Sequence, residues 1–137
     1  MSIVLDASMT IAWLFAAERS DAPRAVLRRV ISEGATVPAI WRLEVANILN
    51  GAARSARCTI EYADRSIGRL ARLPIKVDAE TDRHAWGATR RLATEHQLTL
   101  YDASYLELAV RSRNPLASCD RALIRSAKRL GLEVVAG

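Results

Sequence analysis

The chain has 137 residues, half of them hydrophobic and 26% charged, so its composition excludes a disordered protein and predicts one domain over residues 1–137. The net charge of +5 favours an anionic partner such as nucleic acid, although 18 of the 20 basic residues are arginine, an excess that genome composition alone can produce. The longest uncharged apolar stretch, residues 7–17, is too short for a membrane span, and the start of the chain lacks the pattern of a signal peptide, so we expect a cytoplasmic protein.

Short apolar, β-branched runs predict four to five strands, separated by stretches of helical periodicity. The first run ends at Asp6, and the second follows Gly34, a residue typical of helix ends. The predicted strands are Ile3–Leu5, Ala35–Val37, Leu73–Val77, Pro115–Ser118 and Leu132–Val135.

Helices are predicted between these strands, two of them in succession before Ala35. One begins at Ser20 or Asp21, with Pro23 in its first turn. The others run from Ile40 to about Ala53, from Thr59, from Asp78 or Thr81 to about His96, from Asp102, and from Asp120 to near Gly131. Alternating strands and helices imply right-handed βαβ units, so we expect a three-layer α/β/α domain around a parallel sheet of four to five strands.

Three aspartates are predicted at the edge of this sheet where ligands bind, beyond the carboxyl ends of the strands. Asp6 and Asp120 follow predicted strands, and Asp102 is expected to open onto the same edge from a helix start. Each has an alternative interpretation as a helix N-cap, because a carboxylate there accepts bonds from free amides.

Glu44 lies on a largely apolar stripe of its predicted helix, together with Asn47. A carboxylate in that position must be paired, protonated or bound to a cation. One interpretation is an ion pair with one of the many arginines, such as Arg42 or Arg54. The other is that Glu44 points towards the aspartates, with Asn47 beside it.

Four carboxylates in one pocket would repel each other unless a hard divalent cation bound between them. Mg²⁺ or Mn²⁺ prefers such oxygen ligands and keeps several waters. A water bound to the cation has a lowered pKa and can attack phosphorus without a protein nucleophile, so the pattern predicts phosphodiester hydrolysis. An aspartyl phosphatase fits poorly, since Ser8 stands where its second aspartate is needed.

Four segments resemble the motifs of PIN-domain nucleases, and specifically of the VapC toxins of bacterial toxin–antitoxin pairs. The resemblance covers nearly the whole chain, in the family's order and spacing. Ser118 stands where the family often has threonine, and Cys119 occupies a usually aliphatic position, where we expect it to be buried. Both cysteines, Cys58 and Cys119, are expected to be reduced. The matching segments are Ile3–Ser8 (IVLDAS), Glu44–Leu49 (EVANIL), Leu100–Leu106 (LYDASYL) and Leu116–Leu123 (LASCDRAL).

The resemblance implies a PIN-like fold and a metal-dependent endoribonuclease that cuts structured RNA, either transfer or ribosomal RNA. It also implies a small antitoxin partner and a homodimer. A non-catalytic RNA-binding or scaffold module of the same fold is the alternative. The implied metal ligands are Asp6, Glu44, Asp102 and Asp120, with Ser8, Asn47 and Ser118 orienting carboxylates or waters.

Two arginines near the proposed site, Arg121 and Arg125, follow Asp120 on the last predicted helix. We expect them to contact RNA phosphates and so to position the substrate. The simpler alternative is a solvated helix face.

Overall fold

A parallel sheet of five strands is the centre of the computed structural model, which describes residues 2–15 and 21–136. The strand order is β3-β2-β1-β4-β5, with β1 hydrogen-bonded to both β2 and β4. The strands are β1 (Ile3–Leu5), β2 (Ala35–Val37), β3 (Ile75–Val77), β4 (Leu116–Ser118) and β5 (Val134–Ala136). The prediction of a three-layer α/β/α fold with a parallel sheet is confirmed.

Three predicted strands differ from the observed ones in their bounds, and the smallest difference is in β4, which begins at Leu116 instead of Pro115. β3 begins at Ile75 instead of Leu73, because Pro74 has no N–H for the ladder. The Pro74 carbonyl does accept a bond from the Ala35 amide, so the chain is already aligned with β2 at that point. The last strand is displaced towards the C-terminus and covers Val134–Ala136.

The helices fall between the strands as predicted. Thr59 caps α4, and α2 begins at Asp21, whereas the alternative cap Ser20 lies outside the described residues. The predicted helix from residue 81 to His96 contains a π-helical turn at Ala85–Thr89 between α5 and α6. The helices are α1 (Ala7–Leu14), α2 (Asp21–Glu33), α3 (Trp41–Arg54), α4 (Ile60–Leu70), α5 (Thr81–His84), α6 (Arg90–His96), α7 (Leu100–Ser112) and α8 (Arg121–Arg129).

Gly34 makes the turn from α2 into β2, with φ at +83°. A side chain at this position would be strained, and its Cβ would lie 3.2 Å from the Pro74 carbonyl oxygen. The glycine therefore allows the chain to turn into β2 close to the Pro74 carbonyl, just before β3.

The core is built around β1 and α7. All three β1 residues are fully buried, and α7 is buried on every side from Ala103 to Ala109, as expected for a helix enclosed by other elements. α7 packs against both β1 and β4. None of the described helices is long and apolar enough to cross a membrane.

Candidate active site

Asp6 follows β1 directly, and only 4% of its surface is exposed. Its Oδ2 atom accepts hydrogen bonds from the Ser8 hydroxyl at 2.6 Å and the Ser118 hydroxyl at 2.7 Å. No cationic side chain in the described part of the chain forms an ion pair with it. Burial raises the pKa of Asp6 more than the two serine bonds lower it. Asp6 is thus a buried acid that has neutral donors but no opposite charge.

The two serines have their hydroxyl protons directed at Asp6. The Cys119 amide donates to Ser8 Oγ at 2.9 Å, and the Asp120 amide donates to Ser118 Oγ at 3.0 Å. Since each backbone N–H occupies an acceptor position of the hydroxyl, the single hydroxyl proton is left for the carboxylate. Ser8 and Ser118 therefore hold Asp6 and join the ends of β1 and β4.

Glu44, in the first turn of α3, faces the aspartates. Its Oε1 atom accepts a hydrogen bond of 2.5 Å from the Tyr105 hydroxyl, and it makes no ion pair with Arg42, Arg54 or any other arginine that the structure describes. Burial raises the pKa of Glu44, the Tyr105 bond lowers it, and the charges of Asp6 and Asp102 raise it further. The ion-pair interpretation of Glu44 is therefore wrong.

Asp102 lies in the first turn of α7 and does not cap it. The helix begins at Leu100, and Thr99 is the N-cap, since its hydroxyl accepts the Asp102 amide at 3.1 Å. The N-cap interpretation of Asp102 and the predicted helix start at that residue are wrong. Burial, followed by repulsion from Asp6 and Asp120, raises the pKa of the Asp102 carboxyl to about 6.

Asp120 has two roles in the geometry. Its Oδ1 atom accepts the Leu123 amide at 2.9 Å, so it does cap α8. Its charge also raises the pKa of Asp6 and of Asp102, which places it at the same edge of the sheet. Capping and membership of the acidic cluster are thus compatible.

Three other predicted residues, within the described part of the chain, have no hydrogen bond or ion pair with the four carboxylates. Asn47 is exposed one turn after Glu44, and within the described residues it has no hydrogen bond to an acidic side chain. Arg121 and Arg125 are exposed on α8 and form no ion pair with the four acids.

Cys119 is half-buried, whereas the sequence predicts a buried residue, and its Sγ lies 3.9 Å from Met9 Sδ.

The donor chemistry of the cluster fits a hard divalent cation. Repulsion within the cluster helps to raise the pKa values of Asp6, Glu44 and Asp102, and an ion at this edge would relieve that repulsion. Within residues 2–15 and 21–136, however, no three acidic, histidine or cysteine side chains are spaced as ligands of one ion. The fold thus brings the acids to one edge of the sheet without arranging them as a finished coordination shell.

Tyr105 and Thr99 belong to this site and are absent from the predicted set. Tyr105 follows Asp102 by three residues, a spacing that places both on the same face of a helix. That spacing was the available signal for Tyr105. Thr99 precedes Leu100 at the helix start, and a threonine followed three residues later by an acid is an N-cap pattern.

Metal-free protein should become more stable towards unfolding as the pH falls from 8 to 5. The folded-state pKa of Asp102 is about 6, against an ordinary value of 3.8 for an aspartate carboxyl. The stabilisation of the folded state by protonation of Asp102 is fully present below about pH 4 and is lost as the pH rises through 6. Because the carboxylate is half exposed, solvent screening leaves a gain of about 1 kcal/mol at pH 5. Asp6 and Glu44 act in the same direction.

Urea unfolding in EDTA at both pH values would measure this gain. Asp102→Asn should flatten the dependence, whereas Asp64→Asn, on the exposed surface of α4, should not. A wild-type protein that is less stable at pH 5 than at pH 8 would contradict the raised pKa values.

The described geometry has clear relatives. The model of the family described as "PIN domain" matches residues 3–129. PAE2754 from Pyrobaculum aerophilum is 27% identical, with a TM-score of 0.71 over 98% of this chain and 91% of that one. No curated protein matches.

Two further solved structures share the fold at lower identity. VapBC2 from Rickettsia felis, bound to a DNA fragment from its promoter, is 15% identical, with a TM-score of 0.64 over 100% of this chain and 99% of that one. VapC20 from Mycobacterium tuberculosis, described as a sarcin–ricin loop cleaving toxin, is 18% identical, with a TM-score of 0.61 over 91% of this chain and 95% of that one.

Proposed function

Since the chain belongs to the PIN domain family, we propose that it is a metal-dependent endoribonuclease acting as the toxin of a toxin–antitoxin pair. The observation that carries the proposal is Asp6, a buried carboxylate without an opposite charge that faces three more acids at the carboxyl edge of the sheet. An unpaired buried charge costs several kcal/mol, so a fold retains it where it has a ligand to bind.

Asp6, Glu44, Asp102 and Asp120 would hold Mg²⁺ or Mn²⁺. The ion would lower the pKa of a water and offset charge on the phosphate during hydrolysis. Asp6 contributes a carboxylate whose orientation Ser8 and Ser118 fix. Glu44 and Asp102 contribute half-buried carboxylates whose pKa values are raised by burial and by the neighbouring acids. A bound cation would stabilise the ionised form of each carboxylate.

Structured RNA cut in a loop, from transfer or ribosomal RNA, is the proposed substrate. The net charge of +5 favours a polyanion, and Arg121 and Arg125 extend along α8 from Asp120, where they could contact phosphates. The likeness to VapC20, which cleaves the sarcin–ricin loop, supports a ribosomal target of this kind.

A small antitoxin and a second copy of the chain are the proposed protein partners. The chain itself is proposed to be one domain over residues 1–137 and to act in the cytoplasm. Leu43 precedes Glu44 and Tyr101 precedes Asp102, and they are 74% and 62% exposed. Large apolar side chains at such exposure beside a charged site are typical of protein interfaces. A partner on these residues would lie next to the acidic cluster and could control access to it.

A non-catalytic RNA-binding or scaffold module is the second candidate. It is favoured by the absence, among the described side chains, of three acids spaced as ligands of one ion. The capping bond of Asp120 also gives that residue a structural reason to be acidic.

Incubation of purified, antitoxin-free protein with total cellular RNA distinguishes the two candidates. We expect discrete fragments with Mn²⁺ or Mg²⁺, none in EDTA, and recovery when excess metal is returned. RNA binding without metal-dependent fragments would support the binding module. Fragments of equal yield in EDTA would contradict the metal-dependent mechanism.

A further inference from the structure

The hydroxyl of Tyr105 connects two helices that carry acids of the cluster. Tyr105 is fully buried on α7, and its hydroxyl donates to Glu44 Oε1 on α3 at 2.5 Å. This hydroxyl therefore holds one acid of the cluster, Glu44, from a helix whose first turn supplies another, Asp102.

We propose that Tyr105 is a positioning residue that fixes the Glu44 carboxylate in the orientation facing Asp6 and Asp102. This inference deepens the proposed nuclease function and rests on it. Tyr105 acts through Glu44 and does not itself bind the cation.

Glu44 needs such a partner because little else restrains it. Its side chain is half-buried, its neighbours Leu43 and Asn47 are exposed, and the Tyr105 hydroxyl is its one described hydrogen-bond partner. A glutamate has three rotatable side-chain bonds, and without a bond it gains entropy by turning to water. Repulsion from Asp6 and Asp102 pushes it in the same direction.

Tyr105 is suited to this role by its rigidity and by the hydroxyl at the end of its ring. Its ring is fixed by the packing around α7, and only two side-chain torsions position the hydroxyl. Its hydroxyl is the donor of the bond, and the Glu44 carboxylate, which has no proton to offer when ionised, is the acceptor.

Mn²⁺ binding measured by titration calorimetry tests the inference. Tyr105→Phe keeps the ring and removes the hydroxyl, and we expect about tenfold weaker Mn²⁺ binding. In a Glu44→Ala background the same change should have no further effect, because the acceptor is gone. Tyr62→Phe is the matched control: its hydroxyl also donates to one partner, the Leu14 carbonyl, but that bond lies outside the acidic cluster. Unchanged affinity in Tyr105→Phe, or an equal loss in both backgrounds, would overturn the proposal.

Carbon-13 spectra of metal-free protein with labelled glutamate carboxyls give a second readout. The Glu44 resonance, identified by its loss in Glu44→Ala, should move in Tyr105→Phe and stay in place in Tyr62→Phe. If it moves while the wild type binds no Mn²⁺, Tyr105 does hold Glu44 and the proposed nuclease function fails. If it does not move, the inference is wrong whether or not the wild type binds Mn²⁺ and cuts RNA.

Discussion

Asp6→Asn is expected to reduce metal-dependent RNA cleavage by about three orders of magnitude while leaving the fold intact. A metal centre supplies several kcal/mol of transition-state stabilisation, and each 1.36 kcal/mol is a factor of ten in rate. The substituted asparagine keeps an oxygen that can accept from Ser8 and Ser118, so those bonds survive, but the negative charge is lost. Initial rates on a defined RNA fragment at saturating Mn²⁺ would measure the loss.

The same variant should be at least as stable as the wild type in EDTA. The pKa of Asp6 is raised, so the ionised carboxylate disfavours the folded state at neutral pH, and asparagine removes that cost. Asp64→Asn is the matched control, because it makes the same chemical change on an exposed helix surface and should keep full activity. Unfolding of Asp6→Asn would show that the residue is structural, and undiminished cutting would point to a contaminating nuclease.

The order of elements could be predicted because it depends on local patterns. The run Ile3–Leu5 is fully buried and ends at an acid, and Gly34 marks the end of α2 with a positive φ. Parallel strands then force Asp6 and Asp120 to one edge of the sheet. The placement of Asp6 and Asp120 at one edge thus follows from the topology, before any side-chain contact is known.

The interactions among the side chains could not be predicted, since they depend on how helices pack. Periodicity places Asn47 on the same stripe as Glu44, yet α3 turns Asn47 to solvent. It cannot show that a tyrosine 61 residues away replaces an arginine as the partner of Glu44. The sequence pattern also predicts the start of α7 at Asp102, because aspartate and threonine are both good N-cap residues. The backbone geometry makes Thr99 the N-cap.

A group of charges outside the cluster shows the same dependence on tertiary packing. Arg111, on α7, forms paired bonds with Asp78 at 2.6 and 3.2 Å and with Glu107 at 2.8 and 3.0 Å. Both carboxylates are nearly buried, with side chains 10% and 6% exposed. Asp78 follows β3, so Arg111 ties the edge of the sheet to the helix that carries Asp102 and Tyr105.

Arg111→Met should therefore destabilise the protein by about 2–4 kcal/mol, because it leaves two buried carboxylates without a cation while its apolar stem still fills the site. The expected fall in melting temperature is on the order of 10 °C for a chain of this length. Urea and thermal unfolding in EDTA would measure both. Burial raises the pKa of Asp78, but bonds from Arg111 and Thr81 bring it below its usual value. Loss of the Arg111 guanidinium should therefore move the pKa of Asp78 above its usual value, because burial then outweighs the remaining bonds.

Two variants separate this effect from a general loss of charge. Arg83→Met removes a guanidinium that is 77% exposed and pairs with Glu80, and it should change stability by less than about 0.5 kcal/mol. Adding Glu107→Gln to Arg111→Met should recover part of the loss, because it removes one of the two unpaired buried charges. An Arg111→Met protein as stable as Arg83→Met would mean that water reaches Asp78 and Glu107. The position of α7, and with it of Asp102, would then depend on apolar packing alone.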